Sequence, residues 1–334
     1  MCQAISFAPV LPIITNAIKN SSLSHAQFDK IRINAKDHLT TRVSAPRLLL
    51  PDDAYTDNHD SSEGARSPLI ICFHGSGETC SPAWDDLATK LVAETQCRVL
   101  LYNRELGNLR AADVAAQMWD YVRGAEALGD GIRSHDEPKL GGPYLLVAHS
   151  YGGAFARAFI QHERLLSRVR HKKSSANRVL GLVLAETGQE GGLDPALDEL
   201  QIRRTIMGDR PVCVIRGNSL IAKWKALEES GSAVNSSEAE TGDIAARRQI
   251  LAAEREMLLC VDAEDERLKR RQLGLSRNSR FVHLPDCGHH VIRDRLDEVV
   301  AAVRWVLENA ESEEQHTSPW KQTLERLKRF RLRR

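Results

Sequence analysis

The run PYLLVAHS (143–150) passes into GGAFARAFIQHERLL (152–166) with one residue between them. The first segment is a continuous apolar stretch of strand length. The second carries apolar residues at helical spacing. A strand that becomes a helix so abruptly must turn tightly, and a strand apolar on both faces must be covered on both. Such a unit belongs in a mostly parallel sheet with helices on either side. Other segments repeat the pattern. PLIICFHG (68–75), CRVLLYNR (97–104), RVLGLVLAE (178–186), PVCVIRG (211–217) and SRFVHLP (279–285) read as strands. Helices are expected at 81–95, with Ser81 as N-cap and Pro82 in the first turn, at 112–128, and at 294–310 as the closing helix. The fold class is therefore α/β.

Around that frame the chain divides into an N-terminal extension (1–27), a main domain (28–310), and a linker with a basic tail (311–334). Residues 28–43 alternate polar and apolar, which predicts two antiparallel strands, and 51–67 read as a polar loop. Residues 220–275 are charged and helical in pattern, with a Ser/Gly/Glu-rich break at 229–243. They form a helical, lid-like insertion over the sheet edge or over the mouth of a site. Residues 311–318 read as an exposed linker.

A net charge of +1 provides no broad field for nucleic acid. The seven cysteines contain no CxxC pair, so neither a zinc site nor a redox motif is expected. Cys72, Cys97 and Cys213 read as small core side chains. The N-terminus lacks a basic region before its mildly apolar stretch, and no run of eighteen apolar residues occurs in the chain. These features predict a cytoplasmic protein with no metal and no cofactor.

Three segments carry chemistry. In VAHSYGG, small residues at Ala148 and Gly152 flank Ser150 between a strand and a helix. That spacing allows a turn tight enough to project Ser150 Oγ above the sheet as a nucleophile, with the Tyr151 amide aimed at a bound carbonyl. In FHGSGE (73–78), glycines let the backbone approach a substrate, and the Ser76 amide can supply the second oxyanion donor. His74 reads there as a structural hydrogen-bonding residue. In LPDCGHHVIRDRLDEVV (284–300), His289 stands on a loop after the last strand, where a neutral imidazole can act as general base. His289 follows the glycine and is chosen over His290.

Taken together, PLIICFHGSG, YNR, PYLLVAHSYGGAFARAFI, VLGLVLAE, PVCVIRG and DCGHHVIRDRLDEVV resemble the α/β-hydrolase superfamily, in its esterase-like branch, over about 68–310. The resemblance implies an α/β-hydrolase fold, Ser150 as nucleophile, His289 as base, and the amides of Ser76 and Tyr151 as oxyanion hole. It departs from the pattern twice. Tyr102-Asn103-Arg104 stands where Tyr-Asp-Arg is usual. The usual position of the acid after PVCVIRG is Leu220. Glu186, at the end of the strand next to the Ser150 strand, is the best substitute, because a glutamate can orient an imidazole as an aspartate does. Asp262, Asp265 and Asp286 are the alternatives.

A serine hydrolase acting on a small-molecule ester, thioester or related acyl substrate follows from these residues. An acyltransferase, or a lyase, isomerase or cyclase on the same fold, is the second class. A binding protein with a dead site is the third. The tail from Ser318 reads as a basic amphipathic helix capped by Ser318, with Trp320, Leu324, Leu327 and Phe330 at helical spacing. It packs on the core or a second subunit, or makes peripheral contact with an anionic membrane.

Overall fold

The computed structural model describes residues 44–51, 67–77, 79–104, 110–123, 140, 142–169, 179–188, 192–235 and 242–316. The N-terminal extension, the strand pair expected over 28–43 and the tail helix from Pro319 onward lie outside the described residues.

Seven strands form one sheet: β1 (Ser44–Leu49), β2 (Leu69–Phe73), β3 (Arg98–Asn103), β4 (Tyr144–His149), β5 (Val179–Ala185), β6 (Val212–Arg216) and β7 (Ser279–His283). Their spatial order is β1-β3-β2-β4-β5-β6-β7. β1 is antiparallel to β3, and every other neighbour pair is parallel. The edge strand β1 was not expected from the sequence. SAPRLL has no clean period, and its ladder is irregular between Ser44 and Arg47, so pairing with β3 rather than local pattern defines it.

Eight helices accompany the sheet among the described residues: α1 (Asp85–Thr95), α2 (Ala111–Arg123), α3 (Gly152–Val169), α4 (Pro195–Arg203), α5 (Ile221–Asn235), α6 (Gly242–Arg271), α7 (Val291–Asp294) and α8 (Leu296–His316). The period-two side-chain direction of a strand sorts the core into two layers. Leu69, Ile71 and Phe73 face one side with Leu146, Leu182 and Val214, under α2 and α3. Ile70 and Cys72 face the other with Val147, Val183 and Cys213, under α1, α7 and α8. Strands buried on both faces are continuous apolar runs for this reason.

Several boundaries differ from the sequence reading. The first helix starts at Asp85, not Ser81. Residues 81–84 form a turn closed by Trp84 N–H on Cys80 O at 2.6 Å and Asp85 N–H on Pro82 O at 3.1 Å. Ser81 Oγ donates instead to the Asp85 side chain at 3.0 Å. The break expected at 229–243 begins later, because α5 runs to Asn235. Its Gly231 faces open space, so it costs only about 1 kcal/mol of helix propensity and not a packing defect. The linker expected at 311–318 is helical through His316. ESEEQH contains no helix breaker, and Glu and Gln are good helix formers. Among the described residues, no helix is long and apolar enough to cross a membrane.

Every parallel strand points its C-terminal end toward one rim, where open α/β sheets hold their ligands. The segments after β2, β4, β5 and β7 carry the residues singled out above. The sheet that fixes their spacing is tightly packed. A Cβ on Gly181 of β5 would collide with Val306 of α8 and approach Pro211 O to 3.0 Å. Gly181→Ala should therefore overpack the β5–α8 contact and cost about 1–3 kcal/mol. Urea unfolding followed by circular dichroism reads this directly; an unchanged midpoint would contradict it.

Candidate active site

The turn after β4 is built from sterics. Ser150 has φ +53°, a left-handed conformation that is costly for a residue with a Cβ. The surrounding contacts hold it there. Ser150 N–H donates to Ala185 O at 3.1 Å, and Ser150 O accepts from Gly153 N–H at 3.0 Å. A Cβ on Gly152 would run into Phe73 O, so only glycine lets α3 start this close to the end of β2. Ala148 is fully buried against the same strand.

The segment after β2 closes over the turn. Gly75 lies against the serine: a Cβ there would stand 3.0 Å from Ser150 Cβ and 3.4 Å from Oγ. Neither the Ser76 amide nor the Tyr151 amide is committed to an acceptor among the described residues. The Tyr151 ring stacks edge-on against Phe155 at 5.2 Å and against Gly192, where any side chain would collide with it.

His289 is brought to the same rim by the loop between β7 and α7. His149, the residue before the serine, holds that loop. Burial, above all, lowers the His149 pKa to about 4. The ring is thus neutral at ordinary pH, and its Nε2–H donates to His289 O at 2.8 Å. The two imidazole rings lie 4.8 Å apart. His290 follows at 5.7 Å from the His289 ring.

Glu186 follows β5 directly and also has a positive φ, +52°. The bend turns its carboxylate toward the His289 loop, and Oε2 accepts from His289 Nδ1 at 3.2 Å. Ser219 Oγ donates to the same oxygen at 2.6 Å. The other oxygen accepts from Gly217 N–H at 2.6 Å and lies 3.4 Å from Lys269 Nζ. Burial alone would raise the Glu186 pKa. The hydrogen bond with His289, the Lys269 charge and the Ser219 and Gly217 donors outweigh it and bring the value down to about 2.

The other carboxylates considered from the sequence lie elsewhere. Asp265 accepts from Arg216 Nε at 2.9 Å and pairs with Lys269. Asp262 accepts from Arg216 Nη2 at 2.6 Å. Asp286 pairs with Arg295. None of the three hydrogen-bonds to His289. Sequence reading missed Lys269, Ser219 and Arg216. A lysine in a charged helical insertion and an arginine at the end of a strand look solvent-facing, and the packing of α6 beside the ends of β5 and β6 buries both. The insertion therefore does more than cover the sheet, since it supplies a cation to Glu186.

His74 is the structural residue expected of it. Its Nδ1 contacts Gly75 O at 3.0 Å, and Nε2 accepts from Arg104 N–H at 3.3 Å. Asn103 Oδ1, in place of the usual aspartate, accepts from Cys80 N–H at 2.8 Å. The amide satisfies that backbone donor without burying a charge.

A sheet of this order, with a nucleophile-type turn after a central strand and a histidine beyond the last, defines an α/β-hydrolase. The alpha/beta hydrolase family model matches residues 70–302, and the chain belongs to that family. No curated protein matches it in sequence. Among solved structures it is similar to dienelactone hydrolase from Anabaena variabilis, at 13% identity and TM-score 0.42, over 80% of this chain and 94% of that one. It is also similar to Est1E from Butyrivibrio proteoclasticus, at 13% and 0.42, over 79% and 93%. A third is FphF, a fluorophosphonate-binding serine hydrolase of Staphylococcus aureus, at 12% and 0.40, over 78% and 91%. These likenesses are weak, and the family assignment rests on the family model and the observed fold.

Two outcomes follow for the buried charges. Lys269 is 1% exposed in its side chain, and removing one partner of a buried ionic cluster typically costs about 3–5 kcal/mol. Lys269→Met should lose stability on that scale in urea unfolding; a loss below about 1 kcal/mol would mean the charge is dispensable. The depressed Glu186 pKa contributes stability that is complete above the ordinary value of 4.5 and is lost as pH falls toward about 2. The wild-type unfolding free energy should thus decline more steeply across that window than that of Glu186→Gln, which has no such proton to bind. Parallel slopes in the two proteins would contradict it.

Proposed function

We propose that the protein is a serine hydrolase that cleaves an ester, thioester or related acyl bond of a small molecule through an acyl-enzyme, with Ser150, His289 and Glu186 as its triad. The observation that carries this reading is the contact between Glu186 Oε2 and His289 Nδ1 at 3.2 Å, on a histidine loop tied to the residue before Ser150. With Nδ1–H donated to a buried carboxylate, Nε2 is the nitrogen left to accept a proton. A carboxylate in that position fixes the tautomer and stabilises the imidazolium.

In the first step Ser150 Oγ attacks the acyl carbon and its proton passes to His289 Nε2. The acyl oxygen gains negative charge, and the amides of Ser76 and Tyr151 donate to it. The intermediate collapses, the bond to the leaving oxygen or sulfur breaks, and His289 returns the proton to that atom. Water then attacks the acyl-serine by the same route, releasing the acid and restoring the serine. The positive φ of Ser150 supports the reading as well, because strain of this kind is retained where the serine must stand clear of the sheet. Neither cofactor nor metal is needed for this chemistry.

A fluorophosphonate probe should label the wild-type protein and leave Ser150→Ala unlabelled. On p-nitrophenyl esters, Ser150→Ala and His289→Ala should each lose on the order of 10⁴-fold or more in kcat, with the double variant little worse, since a triad acts as a unit. Glu186→Gln should also fall sharply, because the amide keeps the shape but cannot stabilise the imidazolium. Labelling that persists in Ser150→Ala, or full activity in His289→Ala with loss in His290→Ala, would overturn the assignment.

A further inference from the structure

The segment that carries the Ser76 amide is gripped from behind by one side chain. Arg104 follows β3 and reaches across to the turn after β2. Its Nη1 donates to His74 O at 2.6 Å, and its Nη2 donates to Gly75 O at 2.6 Å. The guanidinium lies 4.3 Å from the centroid of the Phe155 ring on α3, a cation–π contact that fixes the plane of the fork. Arg104 thus spans two successive carbonyls of a glycine-containing turn, which is a use of the planar fork that a point charge cannot reproduce.

His74 completes the grip. Its Nε2 accepts from Arg104 N–H at 3.3 Å. The neutral ring therefore carries its proton on Nδ1, which donates to Gly75 O at 3.0 Å. Burial first, and the Arg104 charge second, lower the His74 pKa to about 4, so this tautomer holds at ordinary pH. Gly75 O then has two donors, Arg104 Nη2 and His74 Nδ1, and both its lone pairs are used.

In a trans peptide the C=O of one residue and the N–H of the next point in opposite directions across a rigid plane. The partner of Gly75 C=O in that plane is Ser76 N–H. Pinning the carbonyl on the Arg104 side therefore aims the Ser76 amide away from Arg104. Gly75 lies against Ser150 on the front of the turn, and the Ser76 amide has no partner among the described residues. A cation on the carbonyl also polarises the peptide and strengthens its N–H as a donor.

We propose that Arg104 is a positioning residue for the oxyanion hole: its bidentate hold on the His74 and Gly75 carbonyls orients the 75–76 peptide so that Ser76 N–H meets the charge developing on the acyl oxygen. This rests on the serine-hydrolase reading above. Arg104 itself touches neither substrate nor reacting atoms. Its effect falls on the transition state, because the ground-state carbonyl is a weaker acceptor than the oxyanion.

The test is stopped-flow acylation with p-nitrophenyl butyrate, together with inhibition by phenylboronic acid, which forms a tetrahedral adduct on a nucleophilic serine. Arg104→Met and Arg104→Lys are compared with wild type. Arg104→Met should lower the acylation rate constant by about 10²-fold, the scale of losing an oxyanion donor, while the substrate concentration that half-saturates the acylation step stays within about threefold. The boronic acid inhibition constant should rise by a similar factor. Arg104→Lys, which can hold one carbonyl, should fall between. An acylation rate within about threefold of wild type in folded Arg104→Met, or a slowed rate with unchanged boronic acid affinity, overturns the proposal. If Arg104→Met does not fold, as judged by circular dichroism, Arg104→Lys decides: wild-type values for both constants overturn it. A wild-type protein with neither an acylation burst nor affinity for the boronic acid defeats the serine-hydrolase reading and this one with it.

Discussion

The site depends on how one buried carboxylate divides its two oxygens. Glu186 directs Oε2 toward His289 and Ser219, and Oε1 toward the Gly217 amide and Lys269. A carboxylate this deeply buried would ordinarily take up a proton. Four donors keep it charged, and they come from three separate segments of the chain. Gly217 and Ser219 follow β6, His289 comes from the loop beyond β7, and Lys269 comes from the helical insertion. Assembly of the rim is thereby linked to ionisation of one residue. If any supplier is displaced, the carboxylate is left with an unmet charge in a low-dielectric setting. The ion pairs beneath it, Asp265 with both Lys269 and Arg216, extend the same requirement into α6.

Backbone strain supplies the second constraint. Ser150 and Glu186 end neighbouring strands, and both turn through a positive φ at +53° and +52°. Each bend redirects a side chain from the sheet plane to the rim. Neither would persist alone, since a left-handed non-glycine residue is costly. They persist because the following backbone is held: Ser150 N–H on Ala185 O, Glu186 N–H on Ile215 O, and Gly152 jammed under Phe73 O. The same close approach of β2 and β4 brings Gly75 against the serine. Steric tightness in the turn and the placing of the segment after β2 are thus one structural fact.

Much of this was legible in the sequence, for identifiable reasons. Strands buried on both faces are continuous apolar runs, so β2 through β6 announce themselves, and VAHSYGG admits few alternatives to a strand-to-helix turn. The nearness of Glu186 to the serine turn could be read because it follows the strand beside the serine strand. What could not be read was whatever depends on distant partners. β1 has no clean period and exists by pairing with β3. The pairing of Asp262 and Asp265 with Arg216 depends on how α6 packs. Lys269 carries no local signal, and Arg104 almost none. A lysine among charged helical residues and an arginine after a strand look like solvated side chains, and only tertiary packing makes one a counter-charge and the other a clamp. Arg104 had one faint pointer, its place in a Tyr-Asn-Arg segment that departs from the usual Tyr-Asp-Arg.

The central claim is that chemistry passes through an ester on Ser150. Trapping that ester tests it most directly. The wild-type protein is mixed with p-nitrophenyl butyrate, quenched in acid within the burst, digested, and read by mass spectrometry. The account requires a butyryl mass on the peptide that contains Ser150, in an amount matching the p-nitrophenol burst, and none in the Ser150→Ala protein. Release of p-nitrophenol with no acylated peptide, or with the acyl group on a different residue, would contradict it.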